Sequence, residues 1–268
     1  MREVDEALAR VYSQQATASD RPRSGVREAV PPAPHLIPRL GSDTPPTAAN
    51  IPGRTGPSAT RLSWPALVRT LESLYGDRFE RMADALMAAR DRQQIKVLLF
   101  TSCHRAEGRT TLLLTLARAL SRRGGRTLLV DADLAAPLLA RQLGVKVAVG
   151  LDDVVERGHA LTDALVEAPA DRLTLLPLRR PVAQPRAFLA NPAWTCTLAR
   201  VRRDFDLVLV DGSPVFSGLS AAVLHRPVDA AVLVTSRAVS SARRVAQARE
   251  VLDAGGIRVL GVAETFVG

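Results

Sequence analysis

Lysine is almost missing from this chain. Of its 36 Lys and Arg residues only Lys96 and Lys146 are lysines, so arginine supplies nearly all the positive charge. Aromatics are scarce at 4% while hydrophobic residues reach 47%, which demands an aliphatic core of Leu, Val and Ala. The two cysteines, Cys103 and Cys196, exclude a disulfide framework and read as reduced cytosolic thiols. The opening Met-Arg-Glu-Val-Asp-Glu is too acidic for a signal peptide and has no apolar segment behind it. No apolar run approaches the roughly 18 residues of a membrane span. These features together predict a cytoplasmic protein. The histidines, His35, His104, His159 and His225, show no metal-ligand spacing and no Ser or Cys partner, so they read as surface or capping imidazoles.

A net charge of +9 permits a polyanionic partner without demanding one. The Arg-Arg doublets that begin at Arg122, Arg179, Arg202 and Arg243 are spread along the chain and read as solvated surface. Residues 1–12 hold a short amphipathic helix with Val4, Ala7, Leu8 and Val11 on one face. Residues 13–62 contain nine of the 18 prolines among Ser, Thr and Gly. That composition buries too little apolar surface to offset chain entropy and predicts a disordered linker. Residues 63–93 read as two helices that pack on the domain after them. Ser63 would cap the first, with Pro65 in its opening turn, and Gly76 would end it. Asp77 and Glu80 form a capping-box pattern for the second.

Residues 94–268 change character. Apolar runs at Val97–Phe100, Thr127–Val130, Leu173–Leu178, Leu207–Val210, Ala230–Val234 and Val259–Val262 alternate with helical stretches. Runs without polar alternation belong to strands covered on both faces. The alternation predicts a doubly wound α/β domain, a mostly parallel sheet with helices on both sides.

Three pieces of this domain carry chemistry. The first is the stretch from Ser102 to Thr111, between a strand and a helix striped with Leu113, Leu114, Leu116, Ala117 and Leu120. Strand, tight loop and helix N-terminus make a cradle for phosphate, because backbone N–H groups converge and the helix dipole favours negative charge. Against the pattern G-x-x-x-x-G-K-[ST], Gly108 and Thr110 match, whereas Cys103 stands for the first Gly and Arg109 for the Lys. The second piece is Val130-Asp131-Ala132-Asp133-Leu134 with Pro137 beyond it: carboxylates two apart at a strand's carboxyl end lie on the same side. Parallel sheets bind ligands at that edge. The third is the apolar strand Leu207–Val210 that ends in Asp211, an arrangement suited to orienting Mg2+.

With these residues in view, the chain resembles the bacterial tyrosine kinases of the CpsD/CapB kind, within the MinD/ParA superfamily of P-loop NTPases. Glu107-Gly108-Arg109-Thr110-Thr111 looks like their E-G-K-[ST]-T Walker A. Leu128 to Leu134 with Pro137 looks like their Walker A′, Gly150-Leu151-Asp152-Asp153-Val154-Val155 like the G-L-S-D-V-L after it, and the Asp211 strand like their Walker B. The likeness covers about residues 96–263. It implies an ATP-Mg2+-binding regulator of exopolysaccharide synthesis or export with weak or altered hydrolysis. Its partner would be a membrane-bound polysaccharide co-polymerase or export protein, and self-association into a homo-oligomer is open to it. Glu107, Gly108, Arg109, Thr110 and Thr111 would hold the nucleotide; Thr110, Asp133 and Asp211 would position Mg2+. Arg109 with Asp131 or Asp133 would serve catalysis, one of the two carboxylates orienting the attacking group.

The sequence departs from the family in ways that bear on function. His104 stands where MinD and ParA proteins carry the lysine of their deviant P-loop. The tyrosines are Tyr12 and Tyr75, both before the domain, where the kinases carry a tyrosine cluster after it. Two rival readings stand beside the regulator. A ParA-like DNA switch would use Arg237, Arg243, Arg244 and Arg249 as phosphate contacts. A non-catalytic assembly scaffold would use none of the nucleotide chemistry.

Overall fold

The structure is a computed structural model and describes residues 60–217 and 228–265. The helix expected over 1–12, most of the linker, Tyr12, His35 and His225 lie outside the described residues.

The sheet has seven strands: β1 Val97–Ser102, β2 Thr127–Ala132, β3 Val166–Ala168, β4 Leu173–Leu176, β5 Leu207–Gly212, β6 Ala230–Thr235 and β7 Val259–Glu264. Their order is β3-β4-β2-β5-β1-β6-β7, and every pairing is parallel except β3 with β4. This is the doubly wound α/β fold that the alternation of apolar runs implies. Strands β1, β2, β5 and β6 are buried at every position, because helices cover both faces. Side chains alternate between the two layers. Val97 and Leu99 pack with Trp194, Leu198 and Leu252, whereas Leu98 and Phe100 pack with Val68, Leu113 and Leu116.

The edge strand β3 has no counterpart among the expected runs. It is three residues long and carries no apolar run, so periodicity gives no sign of it. The strand expected to reach Leu178 stops at Leu176, just before Pro177, which has no N–H to give the ladder.

The first helix, α1, runs from Ala66 to Gln93 where the sequence predicts two. The break exists, but as a kink: Tyr75 has φ −131 and ψ 21 inside an otherwise continuous helix. Pro65, not Ser63, sits at the N-cap, and no side chain caps the helix. Ser63 instead donates its backbone N–H to Leu143. Glu80 does not close a capping box. It accepts from Arg122 and Arg123, in the turn just after the next helix, α2, which spans Arg109–Ser121. Glu72 and Asp84 join this network through Arg118, Arg122 and Arg123. The last residues of the stretch read as linker are also held: Thr60 N–H donates to Glu167, and Leu62 N–H to Asp171, whose other oxygen accepts from Trp64 Nε1 at 2.8 Å.

The remaining helices are α3 Leu139–Gln142, α4 Leu151–Arg157, α5 Leu161–Ala164, α6 Pro185–Ala190, α7 Pro192–Asp204 and α8 Ala242–Ala254. Among the described residues, no helix is long and apolar enough to cross a membrane.

Candidate nucleotide site

In the sheet, β2, β5 and β1 are successive neighbours, so their carboxyl ends meet at one edge. β1 leads through a loop into α2. Within that loop Ala106 has φ 64 and Gly108 has φ 79, left-handed turns that coil the chain tightly before the helix. Gly108 is the N-cap of α2 and supplies no side-chain cap, so the first N–H groups of the helix, from Arg109 to Thr111, are left for another acceptor. A phosphate is the natural acceptor for such groups.

The Glu107 carboxylate braces this loop from beneath. It is 1% exposed and accepts from His104 N–H at 2.7 Å, Ser236 N–H at 3.2 Å and the Thr235 hydroxyl at 3.3 Å. Only its backbone remains for a ligand. Thr265 donates to the Glu107 carbonyl oxygen and ties the end of β7 to the same loop.

Arg109 opens α2 and lies 7% exposed against the sheet edge. Its Nε donates to Asp211 Oδ1 at 2.7 Å, its Nη2 to Asp133 Oδ2 at 2.9 Å and its Nη1 to Ser102 Oγ at 3.3 Å. Thr110 donates its hydroxyl to Asp211 Oδ2 at 2.7 Å. Arg105, from within the loop, forks onto Asp133 at 2.9 and 3.1 Å, and Ser213 Oγ donates to Asp133 Oδ1 at 3.2 Å.

Asp131 is separate from this cluster. It is fully buried and accepts from the backbone N–H groups of Asp133, Leu138 and Leu139, so it shapes the turn after β2. Burial, with the nearby Asp211 charge, pushes its carboxyl up to about 8 against those bonds. Burial also pushes Asp211 up, while Arg109 and Thr110 pull it back. Burial alone would lower Arg109, but Asp211 and Asp133 outweigh it and leave the group above its ordinary value. The guanidinium is therefore the fixed charge of the cluster.

Thr110, Asp133 and Asp211, the residues expected to position Mg2+, do come together. Each carboxylate oxygen of Asp133 and Asp211 already accepts from an N–H or O–H, so as arranged the set turns protons, not free lone pairs, toward an incoming cation. Among the described residues no group of three or more His, Cys, Asp or Glu side chains is placed to hold a metal ion.

His104 lies beside the loop, its ring 5.6 Å from that of Phe216, and accepts from Arg244 Nε. Arg244 stacks over Phe216 at 4.3 Å, and Arg237 pairs with Glu264, so two of the arginines of the DNA-switch reading already have protein partners. Cys103 is buried and free; Cys196 is exposed and free. Sequence reasoning missed Arg105, Ser213 and Ser102. Arg105 had a signal, a second cation inside the loop; the two serines are strand-end residues that no spacing rule selects.

The sheet order, the loop from β1 into α2 and the aspartates at the ends of β2 and β5 define the MinD/ParA class of P-loop NTPase folds. Within it the likeness is to the bacterial tyrosine kinase branch, as the motifs imply. The chain is 27% identical over 168 residues to the tyrosine-protein kinase CpsD of Streptococcus agalactiae, across 62% of this chain and 73% of that protein. Among solved structures, the BceF tyrosine kinase domain superposes with a TM-score of 0.65 at 25% identity, covering 72% of this chain and 80% of that one. The septum site-determining protein MinD from Pyrococcus horikoshii OT3, complexed with Mg-ADP, superposes at 0.53 with 26% identity, over 62% and 68% of the two chains. No family model matches the chain.

Proposed function

We propose that this chain is a nucleotide-binding regulator that takes ATP at Gly108–Thr111, hydrolyses it weakly, and acts in the cytoplasm on a membrane-bound partner in exopolysaccharide synthesis or export. The observation that carries the nucleotide part is the uncapped start of α2 beside the cations Arg105 and Arg109, at the edge where the ends of β1, β2 and β5 meet. The likeness to CpsD supports the pathway, and the likeness to MinD with Mg-ADP supports the nucleotide.

Hydrolysis is weak on this reading because the cation that should bridge the phosphates is turned onto Asp133 and Asp211. Phosphoryl transfer depends almost wholly on positioning and on charge placed where it develops. Of the two carboxylates that could orient an attacking group, Asp133 is the better placed. It adjoins Arg105, Arg109 and Ser213, whereas both oxygens of Asp131 serve the backbone.

Thermal melting with ATP tests the ligand. A ligand that binds only the folded state stabilises it by RT ln(1 + [L]/Kd), about 2.7 kcal/mol at a hundredfold excess over Kd. A melting temperature unmoved by millimolar ATP would leave the assembly scaffold as the better reading. Deletion of the gene, with assay of exopolysaccharide, tests the pathway, and an unchanged yield would reject it.

A further inference from the structure

We propose that this site takes the nucleotide's phosphates without needing a divalent cation, the guanidiniums of Arg105 and Arg109 providing the positive charge that a metal would bring. The inference rests on the nucleotide reading and goes past it.

The case begins with the acceptors. A divalent cation at this edge would need lone pairs from Asp133 and Asp211. Asp211 Oδ1 is taken by Arg109 Nε and its Oδ2 by the Thr110 hydroxyl. Asp133 Oδ2 receives both Arg109 Nη2 and Arg105 Nη1, and its Oδ1 receives Arg105 Nη2 and Ser213 Oγ. The charges balance as well: two guanidiniums stand against two carboxylates, so an added dication would meet a site with no surplus negative charge.

Arginine makes this arrangement durable. A guanidinium keeps its proton throughout the accessible pH range, so it cannot give way by losing its charge. Its flat fork spans two carboxylates from a fixed stem, which a single ammonium does not. Arg109 is buried, and its third contact, to Ser102, ties it to β1 as well as to β2 and β5. Arg105 differs. Its side chain is 48% exposed and commits two donors to Asp133, leaving other N–H groups of the same guanidinium for phosphate oxygens. The α2 N–H groups supply the remaining donors.

The test is ATP binding to the full chain, by calorimetry, in magnesium chloride and again in EDTA. The expected result is a Kd that agrees within about threefold between the two buffers. Binding at least about tenfold weaker in EDTA would overturn the inference while leaving the nucleotide reading intact. No binding in either buffer would overturn both. Arg109→Lys, which removes the fork, should make binding depend on magnesium by about tenfold; an Arg109→Lys protein that binds equally in both buffers would remove Arg109 from the explanation. If that variant fails to fold, Arg105→Gln decides from the exposed side. It should weaken ATP by about fivefold in both buffers, and no change would overturn the role given to Arg105.

Discussion

Arg109 Nε donates to Asp211 Oδ1 at 2.7 Å with both side chains buried, and the same guanidinium reaches Asp133 at 2.9 Å. A lysine at this place would meet one carboxylate at most, whereas the fork joins the ends of β2 and β5 across the start of α2. The cluster is therefore structural as well as functional. Removing one partner of a buried pair leaves the other uncompensated, which costs about 3–5 kcal/mol. Arg109→Met should lower the melting temperature by about 10 °C on that basis. A fall of only a degree or two would mean that water already screens the pair.

The N-terminal helix is held differently. Partial burial works to raise the Glu80 carboxyl, but Arg122 and Arg123 outweigh it and hold the group below its ordinary value. A depressed carboxylate contributes stability that is present above its unfolded pKa and lost as pH falls through the folded value, here below about 4. The pairs are partly exposed, so the contribution is small, about 0.5–1 kcal/mol. Glu80→Gln should cost that much at neutral pH and almost nothing in 1 M salt, about the level that shortens the screening length to 3 Å. An equal loss in low and high salt would show that Glu80 acts through packing and not through charge.

Much of this architecture is readable in the residues themselves. Val97–Phe100 and Leu207–Val210 announce buried strands because each is apolar at every position, as only a sheet covered on both faces requires. Asp131, Asp133 and Asp211 announce an edge with chemistry because carboxylates close those runs. The roles within the edge are a different matter. Spacing says that Asp131 and Asp133 share a side of the strand, and not that one turns to the backbone of Leu138 and Leu139 while the other meets Arg105 and Arg109. The direction of a long side chain depends on partners brought from other elements, which is also why spacing passes over Arg105. The motif makes Glu107 a nucleotide contact by its neighbours; its carboxylate lies against Thr235 and Ser236, more than a hundred residues away in sequence. The kink at Tyr75 and the cap at Pro65 show the usual uncertainty of helix ends, where several residues can satisfy the same backbone.

Gly150 tests the packing of the loop beside α4. A Cβ there would lie 2.5 Å from Asp152 Oδ1 and 2.6 Å from the backbone nitrogen of Arg179. Those two atoms are themselves bonded at 2.8 Å, and Arg179 also pairs with Asp153, so neither can retreat without breaking a contact. Gly150→Ala should destabilise the protein by about 1–3 kcal/mol, as overpacking does. Calorimetric unfolding would measure it; a variant as stable as the parent would mean that the turn can shift away as a unit.

Arg109→Lys separates a worn lysine site from one adapted to arginine. In the parent protein the guanidinium is committed to Asp133, Asp211 and Ser102, so its charge is held at the sheet edge, away from where charge builds on a transferring phosphoryl group. A lysine has one compact ammonium on a flexible stem and cannot bridge both carboxylates, which leaves it free to turn toward the phosphates. A single well-placed donor at the developing charge is worth roughly 3 kcal/mol, on the order of a hundredfold in rate. Part of that gain is offset, since the lysine retains some attraction to Asp133 and Asp211. The expected outcome is a rise in steady-state phosphate release of at least about tenfold for Arg109→Lys, with Arg109→Ala no faster than the parent. Because the alanine variant removes the cation and the lysine variant only relocates it, the two distinguish charge placement from simple opening of the site. Should the parent turn over ATP faster than the lysine variant, arginine would be a working part of the machinery, and the slow-hydrolysis reading would fall with it.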